Sequence, residues 1–515
     1  MESPSTHHTP VLIVGAGPAG LMTALLLARG GIPCLLIERR DTLSVLPRAT
    51  GVNMRTMEIF RAICIADQIM AAAMDTRGLP LWVQLETLRG PALASLTPKH
   101  PLGAPDADFP TPAAHVQCAQ DLVEPIVYEA LRRYPQTETR FATELVALRH
   151  DGDSVVADLH DRCSQRRYQV RAAYAIGADG ANSLVRKAMG IAMIGEEHLG
   201  RELNILFDAD LSPLVQGHRA SLYLVSNTQM EGIFRPVDDR RRWTLTTAFH
   251  DDATPEQCVR LIRAGAGDST VEPRIIAVQD WELAAAVAER FQTGRVFLVG
   301  DAAHRMTPGG AMGMNTAVQD AHNLAWKLAA VISGWGGIPL LDTYEAERHP
   351  IAQRNVEISW DIWKDMRKAE RTMGAVLGLS YESSAVIPDG TERLQLSNPV
   401  TDYIPTARPG GRAPHHWLDM DERRSTIDLF TGSFVLLSPA SAWRAAVQQV
   451  AARLSVPLDA QVIADDAWAR LYGVTSEGAV LVRPDGFVAW RANGPTEAPA
   501  SVLEDVLGQV LALRA

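Results

Sequence analysis

Residues 10–14 are an unbroken apolar run of strand length, residues 21–29 repeat apolar positions at helical spacing, and residues 34–38 are apolar again up to a closing glutamate. An apolar run, a glycine-bearing turn, a helix and a second apolar run predict a βαβ unit with parallel strands covered on both faces. The same passage from an apolar run into a Gly/Asp turn and then a helical stretch follows residues 173–178 and residues 295–300. The pattern therefore predicts one α/β nucleotide fold assembled from pieces far apart in the chain. Residues 202–210, 220–226, 232–237 and 242–249 alternate or run apolar at strand length with polar turns between them, which predicts an antiparallel meander inserted into that fold. Residues 340–378 are helical and charge-laced, and residues 399–414 are rich in Pro, Gly and Arg. Strand-like runs at 434–437, 478–483 and 488–491 beyond that linker set off a separate C-terminal α/β unit.

The length, 515 residues, exceeds what one hydrophobic core usually supports, and at roughly 150 residues per domain it predicts two to four domains. With 47% hydrophobic and 21% charged residues the composition is globular, and 49 basic against 60 acidic side chains leave a net charge of −11. An acidic surface argues against nucleic acid as the partner. The five cysteines (Cys34, Cys64, Cys118, Cys163 and Cys258) are widely spaced and never in C-x-x-C, which argues against a disulfide framework, a zinc site or a dithiol centre and suits a reducing cytoplasm. The pairs His7/His8 and His415/His416 have no third ligand at usable spacing, so no metal is expected. The polar start MESPSTHHTP is unlike a signal peptide and the first apolar helix stops at Arg29, so no membrane span is expected.

Gly15-x-Gly17-x-x-Gly20 lies between the first strand and the first helix. Glycines there permit a tight turn and let backbone amides and a helix N-terminus approach a pyrophosphate. The next strand ends on Glu38, 38 − 15 = 23 residues after the first glycine, near the ~20 at which a carboxylate reaches an adenosine ribose. The other two runs end in Gly177-Ala-Asp179-Gly180 and Gly300-Asp301-Ala-Ala-His304. Each places a carboxylate at a strand's C-terminal end beside a glycine, within reach of a ribityl or ribose hydroxyl. Pro308-Gly-Gly-Ala-Met-Gly313-Met314-Asn315 then opens a helical run at 316–332 whose N-terminus offers free amides. His304 reads as packing or backbone hydrogen bonding rather than as a base, and Glu345, Glu347 and Arg348 read as ion pairing on a helix surface.

In this order and at these separations the three turns resemble the signatures of the group A flavoprotein monooxygenases of the para-hydroxybenzoate hydroxylase fold. The resemblance implies an α/β architecture with a Rossmann-like FAD-binding domain (1–75, 115–195 and 285–395), an inserted antiparallel-sheet substrate domain (76–114 and 196–284) and a thioredoxin-like C-terminal α/β domain (400–515). It implies that Gly15, Gly17, Pro18, Ala19, Gly20, Glu38 and Arg39 hold the ADP half of a non-covalent FAD, that Asp179 belongs to the same site and that Asp301 binds the ribityl chain. Pro308, Gly313 and the amides of Met314 and Asn315 would meet the N1–C2=O edge, where a helix N-terminus favours the anionic reduced flavin. Pro47-Arg48-Ala-Thr-Gly51 is similar to the stretch that passes the isoalloxazine, which puts Arg48 on the cofactor, and Gln117-Cys-Ala-Gln120 is similar to the segment whose glutamine, Gln120, touches FAD. Tyr344-Glu-Ala-Glu-Arg348-His-Pro350 and the tail from Arg408 to His415 look like the branch that hydroxylates phenols and aromatic polyketides. No cysteine follows Cys258, so the C-terminal domain is expected to serve packing or oligomerisation rather than dithiol chemistry, which leaves a homodimer open.

The implied activity is aromatic hydroxylation with NADPH or NADH as transient reductant and O2 captured as a flavin C4a-hydroperoxide. The implied substrate is a phenolic or quinone-type aromatic small molecule, such as a polyketide of antibiotic biosynthesis. The cofactor performs the redox steps and the protein supplies orientation and a dry cavity. Simple phenol hydroxylases of the family carry an aspartate before the glycine of the stretch near the flavin, whereas this chain has Thr50 before Gly51. The catalytic base is therefore unassigned, and the departure leans toward a substrate acidic enough to bind ionised. His115, Tyr223 and Arg235 are the candidates for polar groups facing a pocket walled by the meander. Baeyer–Villiger oxygenation of a polycyclic ketone on the same scaffold stays open, as does a non-catalytic FAD-binding carrier.

Overall fold

The computed structural model describes residues 6–97, 109–238, 241–249, 253–370, 372–421 and 423–513. Strand Thr6–Val14 runs through the middle of the first sheet, parallel to Cys34–Ile37 on one side and to Arg166–Gly177 on the other. Val296–Leu298 adds to Arg166–Gly177, and Thr137–Arg140 adds to Cys34–Ile37, both in parallel. Residues 11–14, 34–37 and 296–298 are all buried, as the continuous apolar runs of a sheet covered on both faces require. The registers align Val14 with Ile37 and Gly177, and Gly177 with Leu298, so the three glycine turns leave the sheet at the same edge. Helices Pro18–Arg29 and Met312–Ile332 share the apolar core with this sheet.

The second sheet is ordered His304–Arg305, Arg274–Ala288, Met193–Asp208, Arg242–Ala248, Glu231–Pro236, Leu222–Ser226, Trp82–Leu85, Ala94–Leu96. Four of these strands fall on the runs expected from the alternation. The long Arg274–Ala288 strand was not among them: its outer half, RIIAVQDW, mixes polar and apolar residues because it is the broad ladder partner of Met193–Asp208 near the sheet's margin. One face buries Leu203, Ile205, Phe207, Phe234 and Trp243 with Cys258, Leu261 and Ile262 of helix Pro255–Ala266. The other face looks toward the first domain. Leu206 packs with Ala119 and Val237 there, and Trp82 Nε1 donates to the Met366 carbonyl at 3.2 Å.

A mixed four-stranded sheet, Leu458–Val462, Phe434–Ser438, Ala479–Val482 and Val488–Ala492, carries helices Ala442–Leu454, Asp466–Tyr472 and Pro499–Val510 in the C-terminal part. It docks through buried ions. Arg483 donates to both Glu347 oxygens at 2.6 and 2.8 Å and to Asp485 at 2.5 Å, and Lys327 donates to Glu347 at 2.8 Å. Glu347 and Arg348 are thus interior residues of helix Asp342–Lys364, which corrects the expectation of surface ion pairing. Their partners come from other elements, so local helical spacing could not disclose them.

Candidate active site

Gly15 has φ +105°, and a Cβ on it would stand 2.4 Å from the Ala178 carbonyl oxygen. A Cβ on Gly20 would stand 1.9 Å from the Gly15 carbonyl oxygen. Both positions therefore exclude a side chain for reasons internal to the fold. Gly17 differs: a Cβ there would meet nothing within 4 Å. Its face opens outward at the start of the Pro18–Arg29 helix, with Pro18 in the first turn, as a site for an approaching pyrophosphate would. Glu38 is buried, and one of its oxygens accepts from the Ala16 amide at 2.9 Å while the other accepts from Arg40 Nε at 2.9 Å and Arg40 N at 3.0 Å. Burial pushes its carboxyl up, and these donors outweigh burial and hold it below the usual range. Arg39 beside it is exposed.

The second and third turns close on the first. A Cβ on Gly177 would stand 2.8 Å from Val185 and 2.9 Å from Leu298, and Gly300, at φ +62°, packs against Ala19 of the first helix and Ala317 of the long one. Asp301 is exposed and makes no hydrogen bond or ion pair among the described residues. Asp179 behaves otherwise. Its carboxylate accepts from Ser183 Oγ at 2.5 Å, Leu184 N at 2.7 Å and Val185 N at 3.1 Å, so it caps helix Leu184–Ala188 and is committed to its own turn. His304 is fully buried, with Nε2 at 2.7 Å from Asp320. Asp320 also accepts from the Gly300 amide at 3.2 Å and from Arg348 Nε at 2.9 Å. This interior triad fastens the Gly300–Asp301 turn to the long helix, and it was not foreseen from spacing.

That helix, Met312–Ile332, begins after Gly310 at φ +69° and Ala311 at φ +53°. The amides of its first turn lack intrahelical acceptors. Gly313 faces open space, since a Cβ there would meet no atom within 4 Å, and Pro308 leads into the short turn before the helix. Met314 is buried. The Asn315 side chain accepts from Asn53 N at 2.9 Å and donates to the carbonyls of Gly51 at 2.9 Å and Ala311 at 2.7 Å. It therefore clamps the Gly51–Val52 strand to the helix start. His115 lies against Gly51, and burial holds its imidazole down at about 4, in the neutral form. Gln120 donates from its backbone to Ala49 at 2.7 Å and from its side chain to buried Glu124 at 2.7 Å, whose carboxyl burial pushes up. Arg48 is exposed.

On the second sheet, pleat and register decide which candidates face the first domain. Tyr223 pairs with Phe234, is buried beside Trp243 and takes the Ala220 amide at 3.1 Å. It belongs to the sheet's own core, on the face away from the first domain, which corrects the expectation that it lines the pocket. Arg235 has the opposite parity and faces the first domain, opposite Thr244. Glu202, Asn204 and Thr246 share that face and were missed, although their alternation with Leu203 and Ile205 was visible in the strand.

The family described as FAD binding domain matches residues 8–359, and the family described as aromatic-ring hydroxylase, C-terminal, matches residues 406–512. The chain belongs to the FAD-dependent aromatic-ring hydroxylases. This hydroxylase is 38% identical over 535 residues to aklavinone 12-hydroxylase RdmE of Streptomyces purpurascens, covering 98% of this chain and 99% of that one. It is 36% identical over 543 residues to the tetracenomycin B2 monooxygenase-dioxygenase of Streptomyces olivaceus, covering 98% of each. It matches a crystal structure of aklavinone-11 hydroxylase in a ternary complex with FAD and aklavinone at a TM-score of 0.89 and 38% identity, over 99% of this chain and 100% of that one. The hydroxylase is a monooxygenase enzyme with FAD as its cofactor, and the glycine cradle, the open face at Gly17 and the free Asp301 carboxylate fit that group. Among the described residues no helix is long and apolar enough to cross a membrane.

Proposed function

We propose that the hydroxylase oxygenates a phenolic or quinone-type ring of an aromatic polyketide, with NADPH or NADH as electron donor and O2 as oxygen source. The observation that carries this reading is the convergence of three glycine turns on one sheet edge. The polyketide class is supported by relatives named for aklavinone and tetracenomycin.

Bound FAD would supply electron transfer and activation of O2. Gly15, Gly17 and Gly20 would let its pyrophosphate approach the backbone, Glu38 would accept from its ribose, and Asp301 would hold its ribityl chain. The first-turn amides of Met312–Ile332 would favour negative charge at the flavin edge. Asn315 keeps that edge rigid by tying Gly51 to the helix, and Arg235 orients a ring oxygen from the sheet side. Arg48 and Gln120 belong to the approach to the cofactor, and the turn that Asp179 caps supports it. A reducing cytoplasm suits the five free cysteines.

The test is oxidation of NADPH and NADH by the FAD-loaded protein over a panel of hydroxyanthraquinones and tetracyclic phenols. The expected result is stimulation by a subset and a product carrying one added ring hydroxyl. A lactone product would replace hydroxylation with Baeyer–Villiger oxygenation. Oxidation indifferent to every aromatic compound would leave a flavin carrier.

A further inference from the structure

The face of the second sheet that looks toward the flavin half carries a polar stripe, in which the Thr246 hydroxyl donates to Asn204 at 3.4 Å while the Thr244, Glu202 and Arg235 side chains are left without a hydrogen bond among the described residues. Along Met193–Asp208 the pleat sends Leu203, Ile205 and Phe207 into the sheet's core and turns Glu202, Asn204 and Leu206 the other way. Cross-strand register extends that face from Asn204 through Thr246 to Ile233, and from Leu206 through Thr244 to Arg235. Thr244 is fully buried and its hydroxyl has no partner among the described residues. Glu202 and Arg235 are each half-buried, and neither makes a hydrogen bond or ion pair with a described residue. A buried hydroxyl without a partner and two half-buried opposite charges, none of them hydrogen-bonded within the described chain, leave this face ready for something polar to meet them.

We propose that Glu202 accepts the ring-hydroxyl proton of the bound substrate while Arg235 stabilises the oxyanion left behind, a catalytic role that Thr50 cannot fill beside Gly51. This rests on the phenolic substrate class proposed above. The step balances without a redox partner: the substrate O–H bond breaks, its proton forms an O–H bond on the Glu202 carboxylate, and the electron pair stays on the ring oxygen, making the adjacent carbon nucleophilic. The proton leaves to water through the half-open side of Glu202.

The surroundings favour Glu202 as the acceptor. Burial pushes its carboxyl up to about 7, with Arg235 drawing it partly back. A group poised there is ionised often enough to accept a proton and basic enough to hold it. The facing residues on neighbouring strands, Thr246 and Ala248 on one side and Gln279 and Trp281 on the other, bring no second charge. Arg201 and Asp280, of opposite parity, are occupied with each other at 2.7 Å, and Arg201 lies 3.7 Å from the centre of the Phe249 ring. His115, the titratable group near Gly51, is held neutral at about 4 and is too weak a base at neutral pH.

The experiment uses FAD-loaded wild type, Glu202→Gln, Glu202→Asp and Arg235→Gln with 1,4-dihydroxyanthraquinone, whose colour reports ionisation. In wild type the bound probe should ionise at lower pH than in water. In Glu202→Gln that curve should move up by about one pH unit or more and turnover at pH 7 should fall roughly 100-fold, recovering at high pH, with FAD content unchanged. Glu202→Asp should restore part of both. Arg235→Gln should move the acid limb of turnover upward, since Arg235 lowers the Glu202 carboxyl. An unchanged ionisation curve in Glu202→Gln, with wild type still oxygenating phenolic substrates, would overturn the assignment of Glu202 alone. Failure of wild type to bind or oxygenate any phenolic quinone would overturn the substrate class and this assignment together.

Discussion

Gly17 and Gly15 sit two residues apart in one turn yet answer to different constraints. A side chain at Gly15 would run into Ala178 and would have to adopt φ +105°, so Gly15→Ala should lower stability by about 2–4 kcal/mol, read as a drop in Tm whether or not FAD is present. A side chain at Gly17 meets no protein atom. Gly17→Val should therefore leave the Tm of the apoprotein within a degree or two of wild type and abolish FAD loading, measured by absorbance of the purified protein. Asp301 belongs with Gly17, since its exposed carboxylate has no partner in the described chain. Asp301→Ala should weaken FAD binding roughly 10- to 100-fold, as loss of a hydrogen bond to a charged group does, while apoprotein stability holds. Unaltered FAD affinity would remove Asp301 from the ribityl site. The turn itself was legible in the sequence because Gly15 and Gly20 answer to backbone conformation and close approach, which glycine spacing reports directly. Tyr223 was not, because one position of strand parity separates a pocket wall from a sheet core, and parity is set by pairing with Phe234 rather than by the residue's own polarity.

The long helix Met312–Ile332 ties the flavin site together as an element. Asn315 holds Gly51 and Asn53 at its start, and one turn further in Asp320 holds the Gly300 amide, His304 and Arg348. Burial raises the Asp320 carboxyl, and its adjoining partners His304 and Arg348 outweigh that and lower it. Asp320→Asn should leave Arg348 buried without its counter-charge and cost about 3–5 kcal/mol. The Gly300–Asp301 turn would lose its anchor as well, so FAD loading should fall together with Tm, unlike in Asp301→Ala, where only loading falls. The helix itself was readable from its glycine-rich entry and apolar period. Its polar interior was not, because Asp320, Asn323 and Lys327 each depend on a partner that arrives from 16 or more residues away.

At the scale of the whole molecule, the C-terminal domain is fastened by buried charge as well as by the apolar cluster that joins Trp326 and Trp335 to Phe434. Besides the Arg483–Glu347–Lys327 cluster, buried Glu58 accepts from Arg55 at 2.9 Å, from Thr111 at 2.6 Å and from Arg412 Nε at 2.9 Å. Arg412 lies 354 residues from Glu58 along the chain, a distance over which no periodicity can predict pairing. Burial alone would raise the Glu58 carboxyl, but Arg412 and Arg55 bring it from 4.5 down to about 2. A folded-state value below the unfolded one means that the native state holds fewer protons on this group between the two values. Its contribution to stability is complete above the ordinary carboxylate range and is lost as pH falls through that range toward about 2. Glu347 is lowered in the same direction by Arg483 and Lys327, against its own burial. Thermal unfolding followed from pH 7 to pH 2.5 should therefore show a steep fall in Tm below about pH 5 as Glu58 and Glu347 take up protons. Glu58→Gln should start from a lower Tm, because Arg412 and Arg55 lose a buried counter-charge, and should fall less steeply in acid, because one of the protons that drives the loss is no longer taken up. Equal acid slopes in the two proteins would mean that the Glu58 pairing contributes nothing to holding the C-terminal domain in place.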